Sequence, residues 1–120
     1  MTYSAIPANS EPVVVVAAAQ RVHALDHLDG IARAVLGALA SFATTERPEW
    51  ACGAGTAWAS PSLTELARVV GFSERSVRTA LRELEAAGLI LTQGTGDGNA
   101  HGYALHLSDL WNATTRRAAQ

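Results

Sequence analysis

The apolar positions between residues 29 and 107 recur at helical spacing in three successive stretches and then alternate, which predicts three helices followed by two short strands. The first stretch is almost wholly apolar up to about Ala43, so we expect a buried central helix with Asp29 as its N-cap. Its periodic positions are Ile31, Val35, Leu36, Leu39 and Phe42. The segment 44–55 contains Pro48 and two glycines and predicts a loop, and Trp58 is expected in a short strand before Pro61.

The two helices that follow carry start and stop signals. Ser62-Leu63-Thr64-Glu65 is a capping box, in which the side chains of Ser62 and Glu65 each accept from a backbone N–H. This helix is expected to stop at Gly71. Ser73 caps the next helix, from Glu74 to Ala87, and Gly88 is expected to end it in a left-handed conformation. Its buried stripe is predicted at Val77, Leu81 and Leu84.

A β-hairpin is predicted after the third helix. Its first strand spans Leu89–Gln93, and the glycine-rich segment Gly94–Asn99 forms the turn. Tyr103, Leu105 and Leu107 alternate with Ala104 and His106, which indicates a second, half-buried strand. Beyond it, Leu110 and Trp111 are expected to pack back on the core.

The segment before the central helix has two interpretations. The β-branched run Val13–Val16 favours a strand, whereas the spacing of Val15, Ala18, Val22 and Leu25 favours a helix, which we prefer. We expect a flexible N-terminus at 1–12, this helix or strand at 13–28, one domain at 29–112 and a flexible, frayed tail at 113–120. If the core does not use Val13–Val16, the run is an exposed apolar patch that suggests a dimer or partner contact.

Composition limits the function classes. The chain has 120 residues, enough for one domain, and a formal net charge of -2, which is unusual for a dedicated DNA-binding protein. Cys52 is the single cysteine, so no intramolecular disulfide is possible and a reducing cytoplasm is expected. Neither a signal peptide nor a membrane-spanning segment is apparent in the sequence.

The predicted order of elements is that of a winged helix-turn-helix: a mainly α fold with a three-helix core, a small β-hairpin as the wing and an extra N-terminal segment. In that fold the second helix of the motif enters the major groove, and here it is Glu74–Ala87. Its outward and N-terminal side chains are the candidate DNA contacts: Ser73, Arg75, Ser76, Arg78, Thr79 and Arg82. Arginine pairs with guanine, and serine or threonine bonds to bases or phosphates. The alternative is a solvated surface on which these arginines pair with neighbouring glutamates.

The same residues carry a resemblance to known proteins. The segments Ser60–Ala67, Gly71–Arg78, Ala80–Leu84 and Ala87–Ile90 resemble bacterial and phage winged helix-turn-helix proteins, above all the small replication-initiator-like and phage regulator group. They are also similar to the DNA-binding half of GntR-type regulators. The resemblance covers about residues 29–107 and implies a double-stranded DNA partner contacted through the six residues named above.

Two departures from the family pattern keep a second function class open. The wing, residues 94–102, has no arginine or lysine but contains Asp97 and His101, so a wing contact with DNA is in doubt. The large effector domain that follows the wing in GntR-type regulators is not expected. An adaptor or inhibitor that binds protein and not DNA is therefore the alternative, together with a replication-initiation accessory role.

The remaining sequence patterns are weaker indications of function. His23 and His27 share a helix face at the spacing of a metal pair, but no third ligand lies nearby in sequence, so we expect no metal or other cofactor. Gly94-x-Gly96-x-Gly98 lacks the lysine of a phosphate loop and predicts a hairpin tip. We find no persuasive catalytic spacing and expect no enzyme. The favoured hypothesis is a cytoplasmic, homodimeric, sequence-specific regulator of transcription from a phage or mobile element.

Overall fold

The fold is mainly helical with a small antiparallel sheet, as the sequence predicted. The structure is a computed structural model, and it describes residues 12–43, 56–94 and 100–118. The elements in chain order are α1 (Pro12–Arg21), α2 (Gly30–Phe42), β1 (Thr56–Ala59), α3 (Leu63–Val70), α4 (Glu74–Ala86), β2 (Ile90–Gly94), β3 (Ala100–His106) and α5 (Leu107–Ala118). The flexible N-terminus predicted at 1–12 (Pro12 apart), the loop predicted at 44–55 and the hairpin tip at 95–99 lie outside the described residues.

Helix α2 is the central element. The Asp29 carboxylate accepts a hydrogen bond of 2.8 Å from the Ala32 N–H and begins the helix as an N-cap. Val35, Leu36 and Leu39 are fully buried, and α2 contacts α1, α3, α4, β1 and β3. The prediction of a buried central helix is therefore confirmed. Phe42 is 37% exposed because it lies at the last position of the helix.

The ambiguous N-terminal segment is helical over Pro12–Arg21, but the predicted continuation of the helix to residue 28 is wrong, because residues 22–28 form turns and a bend. Pro12 occupies the first position of α1, where the missing N–H costs nothing. Val15, Val16 and Ala19 are buried against the core, whereas Val13 and Val14 are exposed. The helix ends at Arg21 and turns lead to α2, so the strand interpretation is wrong. Half of the valine run is used by the core and half remains on the surface.

The sheet has the order β1-β3-β2 within the described residues, with both pairings antiparallel. Trp58 lies in β1, as predicted, and is half-buried. Its indole ring lies over Gly102 of β3, where a Cβ would collide with it. Gly102 therefore allows the tryptophan to close over the middle of the sheet.

The end of the chain differs from the prediction. Strand β3 ends at His106, and Leu107 begins α5, which extends to Ala118 and packs against α1. The predicted strand through Leu107 and the frayed tail from residue 113 are wrong over this range. Leu107, Leu110 and Thr114 are buried at helical spacing, and burial on α1 stabilises a helix whose local sequence signals are weak. The expected packing of Leu110 and Trp111 on the core is confirmed.

Candidate nucleic-acid interface

Helix α3 begins with the predicted capping box. The Ser62 Oγ accepts from the Glu65 N–H at 3.0 Å, and a Glu65 carboxylate oxygen accepts from the Ser62 N–H at 3.1 Å. Two backbone donors that the first helical turn leaves unpaired are thereby satisfied. Leu66 is fully buried and fixes this helix against the core.

A tight turn joins α3 to α4. Gly71 ends α3 with a φ of 79°, in the left-handed region that glycine adopts without steric cost. Ser73 follows as the N-cap of α4, and its Oγ accepts from the Ser76 N–H at 3.1 Å. Phe72 in the turn and Val69 near the end of α3 are both exposed. No sequence pattern identified this apolar pair, because its exposure depends on how the helices pack in three dimensions.

Packing fixes which face of α4 is free. Val77, Leu81 and Leu84 are buried as predicted, and Ala80 joins them, while α4 contacts α2 and α3. The opposite face and the N-terminus carry all six candidate contact residues. Ser73, Arg75, Arg78, Thr79 and Arg82 are exposed, and Ser76 is half-buried.

The small polar residues of this surface already have partners. The Ser73 hydroxyl donates to the Ser76 hydroxyl at 3.0 Å. The Thr79 hydroxyl donates to the Arg75 carbonyl oxygen one turn earlier, at 3.1 Å. These hydroxyls would have to exchange a local bond to contact a nucleic acid.

The three arginines have no such partner. The ion pairs between described residues are His23–Asp26 and His106–Asp109, and no described carboxylate lies within 4.0 Å of Arg75, Arg78 or Arg82. Three guanidinium groups therefore stand on one exposed face with their donors available. Arginine–glutamate pairing along α4, the basis of the alternative interpretation, is not seen in this part of the chain.

The glutamates of α4 are held elsewhere, which explains the free arginines. Each accepts hydrogen bonds from another element: Glu74 from the Thr64 hydroxyl at 3.4 Å, Glu83 from the Asp29 N–H at 3.3 Å, and Glu85 from the Thr92 hydroxyl at 2.7 Å and N–H at 3.2 Å. The contact of Glu85 with Thr92 also fixes β2 beside the helix. The acidic side chains of α4 thus stabilise the domain and leave the basic face uncompensated.

A cleft of about 490 Å³ opens beside this face, between the beginning of α3, the length of α4 and the sheet. Its lining includes Thr64, Arg78, Arg82, Glu85, Thr92 and Tyr103. Tyr103 is only 3% exposed, and its burial raises the pKa of the phenol above the usual 10.0. The alternation of apolar residues predicts Tyr103 on the apolar face of a half-buried strand. Its position beside the cleft depends on strand pairing, which the sequence does not display.

The hairpin stands next to the cleft. Strands β2 and β3 pair from Ile90↔Leu105 to Gly94↔Ala100, with a bulge between Gln93 and Gly94. The arrangement of α2, α3, α4 and this hairpin is that of a winged helix. Asp97 lies outside the described residues, so the wing contributes no described charge to the interface.

Neither a metal site nor a membrane helix emerges from the described ranges. No cluster of three histidine, cysteine, aspartate or glutamate residues there is arranged to hold a metal ion. His23 and His27 were predicted to share a helix face, but both lie in the turns that follow α1. Both are exposed, and His23 lies 3.4 Å from Asp26. Within the same ranges, no helix has the length and apolar character needed to span a bilayer.

Comparison with known proteins agrees with this geometry. A protein family described as "Helix-turn-helix domain" matches residues 26–90, more than half of the 120-residue chain. The matched region includes α2, β1, α3 and α4 and ends at the first residue of β2. No curated protein matches the chain.

Proposed function

The chain belongs to the helix-turn-helix domain family, and from that premise we propose that it is a sequence-specific double-stranded DNA-binding protein that regulates transcription. A helix-turn-helix domain suggests DNA binding as such, whereas sequence specificity and a regulatory role are our inference. The observation that supports it best is the exposed face of α4 with three unpaired arginines. We propose a binding role and no catalysis.

The proposed mechanism places the beginning of α4 in the major groove. Arg75 lies in the first turn and Arg78 in the next, where side chains of a recognition helix meet base edges. A guanidinium can donate two hydrogen bonds to guanine O6 and N7 and so distinguish that base. The N-terminus of α4, capped by Ser73, favours a phosphate through its backbone N–H groups and helix dipole. DNA bound in this way would occlude a promoter or recruit other proteins to it.

We further propose that the protein works as a homodimer on a two-fold site, in the cytoplasm of a bacterium and in the service of a phage or other mobile element. Dimers are the usual form of helix-turn-helix regulators, because two recognition helices then reach successive major grooves. Val13 and Val14 on α1 are exposed and apolar, which suits a self-contact. Sedimentation equilibrium of the full chain with and without a Val13→Ser/Val14→Ser change tests this part.

The DNA assignment is tested by Arg75→Ala and Arg78→Ala. A duplex is first selected from a random library, and its affinity is then measured by gel-shift titration. Each variant should bind about 1–3 kcal/mol more weakly if the lost contact is a bidentate base contact. Arg116→Ala, an exposed arginine on α5, changes the charge equally and should leave specific affinity unchanged. Wild-type affinity in both α4 variants would remove this helix as the reader.

A second candidate is a protein-binding module. The net charge of -2 and the wing without arginine or lysine favour it, as do exposed Val69 and Phe72 at the helix-turn-helix turn. Retention on a DNA column distinguishes the two functions, because phosphate contacts must weaken as salt rises. A DNA-binding protein elutes later at low salt than at high salt, whereas a protein-binding module passes through at both.

A further inference from the structure

The cleft beside α4 has the dimensions of a binding site. Its volume of about 490 Å³ falls within the range of about 300–1,000 Å³ that is usual for sites of small ligands. Apolar Leu63 and Leu81 contribute to its lining, and polar side chains from α3, α4 and both hairpin strands converge on it. A concave surface with a few convergent polar groups is the usual form of a ligand site.

Tyr103 is the unusual residue of this cleft. It is 97% buried, yet its hydroxyl has no hydrogen-bond partner among the described residues. Buried polar groups in native proteins are nearly always paired, and an exception calls for an explanation. A phenol is protonated at neutral pH and can donate a hydrogen bond, and burial raises the pKa of Tyr103 further above the usual 10.0.

The charges of the lining are arranged in order along α4. Glu74, Arg78, Arg82 and Glu85 follow one another at spacings of three or four residues, so the acidic groups lie at the two ends. Both glutamates accept hydrogen bonds from threonines, whereas both arginines are unpaired. Arg75 does not line the cleft. The cleft therefore offers donors from two unpaired guanidinium groups and one phenol.

We propose that Tyr103, Arg78 and Arg82 form a binding site for a phosphate-type oxyanion. Arginine is suited to phosphate because its planar donors match the oxygen atoms in pairs, and a charged acceptor gives the phenol a strong hydrogen bond. The oxyanion can be a backbone phosphate of bound DNA or the phosphate of a free small molecule. The first source rests on the proposed function and would change one of its assignments. Arg78 would contact a phosphate together with Arg82 in place of a base edge, and Arg75 would remain the base-reading arginine. The second would make the domain responsive to a ligand that competes with DNA.

Tyr103→Phe is the decisive variant, since it removes only the hydroxyl. Isothermal titration of the full chain with inorganic phosphate, at constant ionic strength, tests the free source. Gel-shift titration with the selected duplex and with an unrelated duplex tests the DNA source. We expect the variant to lose about tenfold in affinity for the true ligand, because hydrogen bonds to charged acceptors are the stronger class. Arg116→Ala, which removes an exposed arginine of α5 outside the cleft, is the matched control and should bind inorganic phosphate as the wild type does.

The outcomes separate the two sources. Phosphate binding by the wild type that is lost in Tyr103→Phe supports the free source, and it does so even if the chain binds no DNA and the proposed function fails. An equal loss of affinity for both duplexes supports the backbone source, since phosphate contacts are independent of sequence. If Tyr103→Phe binds inorganic phosphate and both duplexes with wild-type affinity, the proposed oxyanion site is wrong. The proposal is also wrong if affinity falls for the selected duplex alone. If the Tyr103→Phe variant is unfolded at the assay temperature, Arg82→Gln is used in its place, because Arg82 is exposed. The same losses of affinity are then expected in the two titrations.

Discussion

Helices α2 and α4 have the same length, 13 residues, and pack against each other, but they differ in how much of their surface is covered. Helix α2 contacts other elements on several sides and carries a single charged residue, Arg33. Helix α4 buries one stripe and exposes a face of arginines and glutamates. The difference shows that the same helical periodicity can build either a buried central helix or a helix with an exposed charged face, depending on how many sides the neighbouring elements cover.

The comparison predicts that changes in α2 alter stability, whereas changes on the exposed face of α4 alter binding. The largest effect is expected for Leu36→Ala, since Leu36 is fully buried in α2. Deleting its side chain should lower the free energy of unfolding by about 2–5 kcal/mol, measured by urea denaturation. Leu84→Ala, on the buried stripe of α4, should cost a similar amount.

Leu91→Ala is the control for this pair, because the same truncation at a side chain that is 48% exposed should cost much less than at a buried position. A much smaller loss for Leu84→Ala than for Leu36→Ala would break the comparison. It would mean that α4 is held loosely and that its buried stripe does not fix the orientation of the arginines.

The next largest loss of stability is expected when an N-cap is removed, and it should be similar in the two helices. Asp29 caps α2 and Ser73 caps α4, each by accepting from a backbone N–H of the first turn. Asp29→Ala and Ser73→Ala should each cost about 0.5–2 kcal/mol of stability in thermal melts. Only Ser73→Ala should also weaken DNA binding, because only that cap lies at the proposed phosphate-binding end of a reading helix. Equal binding losses in the two variants would contradict this division.

A gain in stability is expected at Gly37, in the middle of α2. A Cβ at this position would meet no described atom within 4 Å, so alanine fits without strain. Gly37→Ala should raise stability by about 0.5–1 kcal/mol, because glycine loses more backbone entropy in a helix. The thermal midpoint should rise while affinity for DNA stays the same. A fall in the midpoint would show that α2 needs the glycine for a contact outside the described residues.

The smallest effect on stability is expected for Arg82→Ala on the exposed face of α4. It should change the free energy of unfolding by less than about 0.5 kcal/mol. The slope of log affinity for DNA against log salt concentration should fall by about 1 if Arg82 contacts a phosphate. An unchanged slope would show that Arg82 does not contact DNA. Arg116→Ala is the control, because it changes the charge equally and should leave the slope unchanged.

What the sequence predicted correctly was local in origin. The capping box at Ser62, the cap at Ser73 and the buried stripe of α4 depend on residues a few positions apart, so a single pattern contains all the information. The boundary at Leu107 was missed because this residue satisfies the alternation of a strand and also the spacing of the helix that follows. Burial against α1, far away in the sequence, decides between them.

The parts of the site that were missed depend on contacts between distant elements. The arginines are free because Glu85 bonds to Thr92 on β2 and Glu74 to Thr64 on α3, and no helical wheel of α4 shows these partners. Tyr103 borders the cleft because β3 lies between β1 and β2. Sequence patterns thus assign the side chains to faces, while the tertiary contacts decide which of their polar groups remain available.

The packing of α5 on α1 has a consequence for synthesis of the chain. Helix α1 leaves the ribosome before the other described elements of the domain, with Val15, Val16 and Ala19 on the side that the finished core covers. Its partner, residues 107–118, is translated only after both helices of the helix-turn-helix motif. Nascent chains therefore lack the part of the cover of α1 that α5 supplies until residues 107–118 have emerged, and ribosomes that stall before Leu107 hold an unclosed, aggregation-prone domain. Protease resistance of nascent chains should accordingly appear late, when the segment after the wing has emerged.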